Sequence, residues 1–282
     1  MKVISERDSL REQLREWRRA DDHVALVPTM GNLHEGHMSL LRLAREHADR
    51  LVVSIFVNPT QFAAGEDYET YPRTLERDQR RLKRANADLL FVPDIETIYP
   101  FGTDAATSVT VPVLTEELCG LARPGHFDGV TSVVSRLFSL VQPDVAVFGQ
   151  KDFQQQLVIR RLAADLHLPI RIVSGPTQRD KDGLALSSRN QYLTAAERQA
   201  APTLYATLCD IARALQAGDD QFAELERAAT AALTAAGFEP EYVSIRRAEN
   251  LAMPDRDTDE LVVLAAARLG KTRLIDNVIV ST

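Results

Sequence analysis

The chain has 282 residues, 45% of them apolar and 26% charged, and carries a net charge of −7. This is an ordinary globular composition with length enough for two cores, which argues against a disordered chain, a fibrous repeat or a disulfide-stapled miniprotein. Its two cysteines, Cys119 and Cys209, lie far apart without CxxC or Cys/His spacing, so neither a zinc centre nor a disulfide framework is expected.

The N-terminal stretch MKVISERDSLREQLREWRRADD is charged throughout, and no apolar run approaches the length of a membrane span. A cytoplasmic chain without a membrane partner is expected. The densest basic stretches, REWRR (15–19) and RDQRRLKR (77–84), fall in amphipathic helical patterns with acids nearby and read as solvated faces. With the acidic balance, no nucleic-acid partner is expected.

From residue 23 onward, strand and helix patterns alternate. HVALVP (23–28), LVVSIFV (51–57), DLLFVP (88–93), DVAVFG (144–149) and PIRIV (169–173) are short Val- and Ile-rich runs bounded by polar or turn residues. Helical periods occupy 37–49, 73–87, 129–142 and 153–166. The alternation predicts an α/β fold, a Rossmann-like doubly wound parallel sheet that binds ligands beyond the carboxyl ends of its strands. After SGPTQRDKDG (174–183), read as a hinge, come two alanine-rich helices at about 194–217 and 220–236. The runs EYVSIRRAE, ELVVLAAARL and TRLIDNVIV follow. That order predicts a smaller α+β domain with an antiparallel sheet, giving domains at 1–175 and 176–282.

Two apparent motifs fail on spacing. LGKTR (269–273) has the GKT of a phosphate loop, but Ala265 stands where the first glycine is required and the segment lies in a strand pattern, so it reads as a turn. His34, Glu35 and His37 resemble part of a zinc-protease helix, yet the histidines are three apart instead of four, which points away from zinc.

PTMGNLHEGH (28–37) is more informative, because it places His34, Gly36 and His37 where a strand hands over to a helix. A helix N-terminus offers unpaired N–H groups to phosphate, and two histidines there can donate to a phosphoryl group as its charge redistributes. The same residues also read as a polar helix cap with incidental histidines. FGQKDFQQ (148–155) sets Lys151 and Asp152 at another strand end, suited to polyphosphate and ribose or to a solvated cap. DGLALSSRN (182–190) offers Ser187, Ser188 and Arg189 on a loop, two hydroxyls and a guanidinium that suit a triphosphate.

HxGH with a later Ser/Lys/Arg loop resembles the nucleotidyltransferase superfamily that includes class I aminoacyl-tRNA synthetases. PTMGNLHEGH, SIFVNPTQF (54–62), YPRTLERD (71–78), RPGHFDGV (123–130), FGQKDFQQ, DGLALSSRN and LIDN (274–277) occur in the order and at about the spacing of the pantothenate synthetase family. The resemblance runs from the first of those strands to LIDN. It implies a ligase of pantothenate biosynthesis, on the route to coenzyme A, that joins pantoate to β-alanine at the expense of ATP through a pantoyl adenylate, with magnesium, as a cytoplasmic homodimer.

By the same resemblance His34, His37, Lys151 and Arg189 are catalytic. ATP is held by Met30, Gly36, His37, Gly149, Lys151, Asp152, Ser187, Ser188 and Arg189, and pantoate by Gln61 and Gln155. AAGEDYETYP, after Gln61, is expected to be a flexible cover. Some members carry consecutive aspartates after YPRT, one of them approaching the metal; here the place reads Arg77 then Asp78, which makes Asp78 the carboxylate expected near magnesium. His23, His47, His126 and His167 show no evident carboxylate partner in the sequence, so no general base for amide formation is expected. A different nucleotidyltransferase and a non-enzymatic nucleotide-binding module are the competing readings. NPTQF and FGQKDFQQ, which resemble a pocket for an uncharged diol, argue against the first, and binding without turnover would mark the second.

Overall fold

The apolar runs become strands because each is a series of buried β-formers, continuous where a parallel sheet is covered on both faces. A computed structural model describes residues 1–63 and 65–281; Ala64, within the expected cover, and Thr282 lie outside the described residues. The strands are β1 (Lys2–Ile4), β2 (Val24–Thr29), β3 (Arg50–Ile55), β4 (Leu89–Phe91), β5 (Val145–Gly149), β6 (Arg171–Gly175), β7 (Glu239–Arg247), β8 (Glu260–Leu269) and β9 (Thr272–Ser281). The helices are α1 (Arg7–Arg19), α2 (Glu35–Arg45), α3 (Leu75–Arg84), α4 (Ile95–Ile98), α5 (Cys119–Ala122), α6 (His126–Val141), α7 (Phe153–Asp165), α8 (Ala195–Ala200), α9 (Thr203–Gln216) and α10 (Phe222–Ala235).

The chain divides into two compact units, Met1–Gln150 with Val158–Pro176, and Lys151–Leu157 with Thr177–Thr282. One break lies inside SGPTQRDKDG, and the start of α7 groups with the second unit.

The first unit contains a six-stranded sheet in the order β1-β4-β3-β2-β5-β6, parallel throughout. Val24 to Val27 of β2 are fully buried, and Leu33 together with Met38 and Leu41 of α2 packs over the face that carries Ala25 and Val27. From β2 the chain runs outward through β3 and β4, then returns to lay β5 on the other side of β2. The carboxyl ends of β2 and β5 therefore flank the point where the winding reverses, which is where doubly wound sheets bind ligands. The edge strand β1 is an addition to the five parallel strands expected from sequence. With only three residues it shows no periodicity, and it exists through its pairing with β4.

In the second unit, β7, β8 and β9 form an antiparallel sheet with α9 and α10 packed on it through Leu204, Leu208, Ile211 and Leu233. The single helix expected over 194–217 is instead two, α8 and α9. Pro202 lacks the N–H that a continuous helix needs at that place, so the chain restarts at Thr203. LGKTR is the turn between β8 and β9, with Gly270 at φ +56°.

Candidate active site

Past Thr29, the chain makes a tight turn before α2. Gly31 has φ +84° and Asn32 φ +48°, two successive left-handed residues. A Cβ on Gly31 would meet Ile55 Cγ2 at 3.1 Å and Asp78 Oδ2 at 3.3 Å, so the left-handed backbone favours glycine and the space around it is tight. Asp78 holds the turn from below. Its Oδ2 accepts from Asn32 N–H (2.9 Å) and Thr74 Oγ1 (3.0 Å), and its Oδ1 from Leu33 N–H (2.9 Å). With no exposed surface and both oxygens engaged by the turn and Thr74, Asp78 shapes the backbone. The expectation of a carboxylate near magnesium thus meets a side chain whose oxygens already serve the turn, although Asp78 also lines the cavity beside Met30 and Gly31.

His34 is the N-cap of α2, and the two histidines cap each other. His34 Nδ1 accepts from Gly36 N–H, and His34 N–H donates to His37 Nδ1, both at 3.2 Å. The rings lie 4.1 Å apart between centroids. Because each Nδ1 is an acceptor, each neutral imidazole carries its proton on Nε2, on the side of the ring turned away from the helix backbone. The cap reading and the phosphate reading of HxGH are therefore compatible, since the cap fixes the tautomer that makes Nε2 a donor.

Beside this turn Gln61 ends a short 3₁₀ turn, Pro59–Gln61. Its Nε2 reaches Met30 Sδ at 3.3 Å, and its Oε1 accepts from Asn58 Nδ2 at 3.2 Å. Asn58, 1% exposed, also donates to Gly129 O and accepts at Oδ1 from Thr60 N–H, Thr60 Oγ1 and Tyr99 OH. Burial raises the Tyr99 phenol above its ordinary value. A Cβ on Gly129 would lie 2.3 Å from Thr60 O, so glycine lets this segment sit against α6.

The Gln61 carbonyl is gripped from the other side by Arg123 Nη2 (3.3 Å) and His126 Nδ1 (2.8 Å). Arg123 Nη1 lies 2.9 Å from His126 Nε2. A guanidinium only donates and a carbonyl only accepts, so His126 is neutral with its proton on Nδ1. Arg123 also binds both oxygens of Glu66 at 2.6 Å. Burial pushes the Glu66 carboxyl up, but the hydrogen bonds and charge of Arg123 outweigh it and hold the group below its ordinary value.

Asn58, Tyr99, Arg123 and His126 were given no role from sequence. An Asn before Pro at a strand end signals an Asx cap and could have pointed to Asn58; the other three are joined only by the fold. His23 also gains a carboxylate partner that the sequence did not show, Asp49 at 3.6 Å, on the exposed surface.

Gly149 closes β5 at the reversal point. A Cβ there would meet only Leu40 Cδ1, at 3.8 Å, so protein packing does not require glycine, unlike Gly175, where a Cβ would fall 2.2 Å from Leu40 Cδ2. In the second unit Lys151 Nζ lies 3.9 Å from Asp152 Oδ1, and Gln155 follows, half-buried, in α7. Ser187 caps the 3₁₀ turn Ser188–Tyr192 by accepting from Arg189 N–H at 3.2 Å.

A glycine-dependent turn between a parallel strand and a helix N-terminus, carrying two Nε2–H donors at the reversal point of a doubly wound sheet, is an arrangement suited to phosphate in an α/β enzyme. The chain belongs to the pantoate-beta-alanine ligase family, whose model matches residues 2–279. It is 55% identical over 281 residues to the pantothenate synthetase of Chromohalobacter salexigens, covering 100% of this chain and 99% of the relative. It is 53% identical over 279 residues to that of Halorhodospira halophila, covering 99% and 98%. The pantothenate synthetase structure from Thermus thermophilus matches with a TM-score of 0.92 and 45% identity, over 99% of each chain. A pantoate-beta-alanine ligase from Francisella tularensis, complexed with beta-gamma ATP and beta-alanine, matches with a TM-score of 0.80 and 33% identity, over 99% of this chain and 97% of that one.

Proposed function

We infer that this chain is a C–N bond-forming ligase that condenses pantoate with β-alanine, converting ATP to AMP and pyrophosphate. A pantoate carboxylate oxygen attacks the α-phosphorus, the bond to the bridging oxygen breaks, and pyrophosphate leaves. The β-alanine nitrogen then attacks the acyl carbon of pantoyl adenylate, AMP departs, and the amine gives up its proton. The first step is needed because a carboxylate is a poor electrophile, and the mixed anhydride supplies a good leaving group.

The observation that carries this reading is the reciprocal His34–His37 cap in a chain that matches the family over 2–279. Two preorganised Nε2–H donors suit a phosphoryl group gaining charge in the transition state. In this reading Met30, Gly36 and Gly149 give the nucleotide room, which supplies the reason for glycine that packing at 149 does not. Asp152 takes the ribose, while Lys151, Ser187, Ser188 and Arg189 take the phosphates. Gln61 and Gln155 hold pantoate through their amides, and the segment after Gln61 covers the intermediate.

Magnesium enters this reading as part of the nucleotide substrate. Among the described residues no group of three or more His, Cys, Asp or Glu could hold a metal ion, which suits an ion carried mostly by phosphate oxygens and water. Asp78 is the carboxylate nearest the turn that could approach it, and no step is routed through a resident metal.

The reading extends to a cytoplasmic homodimer that pairs through the first unit. Its support is that Val3, Leu75, Ile95, Phe101, Val113 and Leu121, all in that unit, are exposed apolar side chains, and that both cysteines are free thiols. Light scattering on the purified chain tests the pairing.

Exchange of labelled pyrophosphate into ATP tests the chemistry. Exchange should require pantoate but not β-alanine, and AMP should accumulate beyond one equivalent only when both are present. Turnover without pantoate-dependent exchange would replace the adenylate with a concerted route.

A further inference from the structure

The LIDN stretch carries no role in the chemistry above, although its last two residues are buried polar groups, Asp276 at 4% and Asn277 at 3% exposure. They are neighbours in β9, so their side chains leave opposite faces of the strand. Each side chain serves a different segment of the second unit.

Asp276 takes the guanidinium fork of Arg179, Nη1 to Oδ2 at 2.5 Å and Nη2 to Oδ1 at 2.8 Å. Burial would lower the Arg179 pKa, but the Asp276 contacts raise it above its ordinary value, so the guanidinium stays charged. Arg179 lies in a short hairpin. Its backbone pairs with Ala185, Leu186 N–H donates to Gln178 O (2.9 Å), and Arg179 Nη1 donates to Gly183 O (3.1 Å). The Arg179 guanidinium also stacks on Tyr205 at 3.5 Å. This hairpin leads directly into Ser187, Ser188 and Arg189, and Asn190 Nδ2 ties the loop back to Ala185 O at 2.9 Å. On the other face, Asn277 Nδ2 donates to Lys151 O at 3.0 Å.

We propose that Asp276 and Asn277 are positioning residues: one strand sets the spacing between Lys151 and the Ser187–Arg189 loop, so that both reach the phosphates of a single nucleotide. The inference rests on the ligase reading for the roles of those four residues. It assigns LIDN to the adenylation step, because only that step uses the triphosphate. Placement errors of about 1 Å are enough to cost large factors in rate.

The test compares full-length wild type with Asn277→Ala, Asn277→Asp, which keeps the size but cannot donate when ionised, and Arg179→Lys, which keeps the charge but loses the fork. Pyrophosphate exchange gives KM for ATP and for pantoate, and supplied pantoyl adenylate isolates amide formation. KM for ATP should rise on the order of tenfold in each variant, with pantoate KM and the amide step within about twofold of wild type. Unchanged ATP KM, or a parallel loss in all three readouts, would overturn the proposal. So would loss of folding in all three variants, which would make LIDN a folding element only. Absence of pantoate-dependent exchange in the wild type would instead remove the ligase reading itself.

Discussion

His34 and His37 each use Nδ1 as an acceptor for a backbone N–H of the turn that carries them, His34 from Gly36 and His37 from His34, at 3.2 Å in both cases. The histidines therefore build the turn and present donors from it. His37→Gln separates the two tasks, because glutamine caps well at this helix position but brings no imidazole Nε2–H. The variant should keep the wild-type thermal midpoint while the adenylation rate falls about 10²-fold, the loss of one preorganised donor. His37→Ala should lose the rate and also about 1 kcal/mol of stability with the cap. Full activity in the glutamine variant would leave His37 with the cap alone.

Asp78→Asn tests whether the buried carboxylate serves the turn alone or the metal as well. An amide places an NH₂ group against N–H or O–H donors that the carboxylate now accepts from, and the expected cost is about 1–3 kcal/mol in chemical denaturation. The magnesium concentration for half-maximal activity should stay that of the wild type. A shifted magnesium requirement with unchanged stability would return Asp78 to the metal.

The sequence was most legible where local pattern and tertiary role coincide. The β2 run and HxGH announce a strand, a turn and a helix start, and the fold places them together because a doubly wound sheet has few alternatives. For Asp78, sequence spacing gives proximity along the chain but not which lone pairs the backbone will take. β1 has no signature in the sequence because three residues carry no period, and Pro202 sits inside an alanine-rich run that otherwise reads as one helix. Arg123 and His126 could not be linked to Gln61, since that link is a tertiary one, between positions more than sixty residues apart in the chain. The same holds for Asp276 and Arg179, 97 residues apart.

Tyr99→Phe should weaken the support of Gln61 without touching Gln61 itself. It removes the 2.7 Å donor to Asn58 Oδ1, worth about 0.5–1.5 kcal/mol for a neutral hydrogen bond. The expected result is a rise in pantoate KM of about three- to tenfold with ATP KM unchanged. Equal effects on both substrates would mean that the substitution disturbs the unit as a whole.

The Glu66–Arg123 pair predicts how the acid limb of stability behaves. Glu66 is held below its ordinary value of 4.5 in the folded chain, so its stabilising contribution is present above the unfolded pKa and is lost as pH falls through the folded one. Glu66→Gln should therefore be less stable than wild type at pH 7, and the gap should narrow as pH drops from about 5 to about 3. Other carboxyls titrate in both proteins and cancel in the comparison. A gap that stays constant over that range would show that the loss comes from packing instead of charge.

The amide-forming step should track ionisation of the β-alanine amine, because the histidines are otherwise occupied. His34 and His37 have Nδ1 turned to the backbone and a proton on Nε2, which makes them donors. His126 bridges Arg123 and the Gln61 carbonyl, and His23 sits with Asp49 on the surface. His167 is exposed and His47 lies half-buried just past the end of α2, away from the turn. An alkylammonium has a pKa near that of lysine, roughly 10.4, so at neutral pH little of the amine is nucleophilic. With pantoyl adenylate supplied and β-alanine subsaturating, the rate should climb from about pH 7 towards 9 or 10, as expected when no protein base limits the reaction. Supplying the adenylate matters, since slow adenylation would mask the profile in ordinary turnover. A rate that is flat, or that levels off near the ordinary histidine pKa of about 6.5, would mean that one of these imidazoles does accept the proton. His126→Asn and His34→Asn, each tested for loss of that plateau, would then identify which.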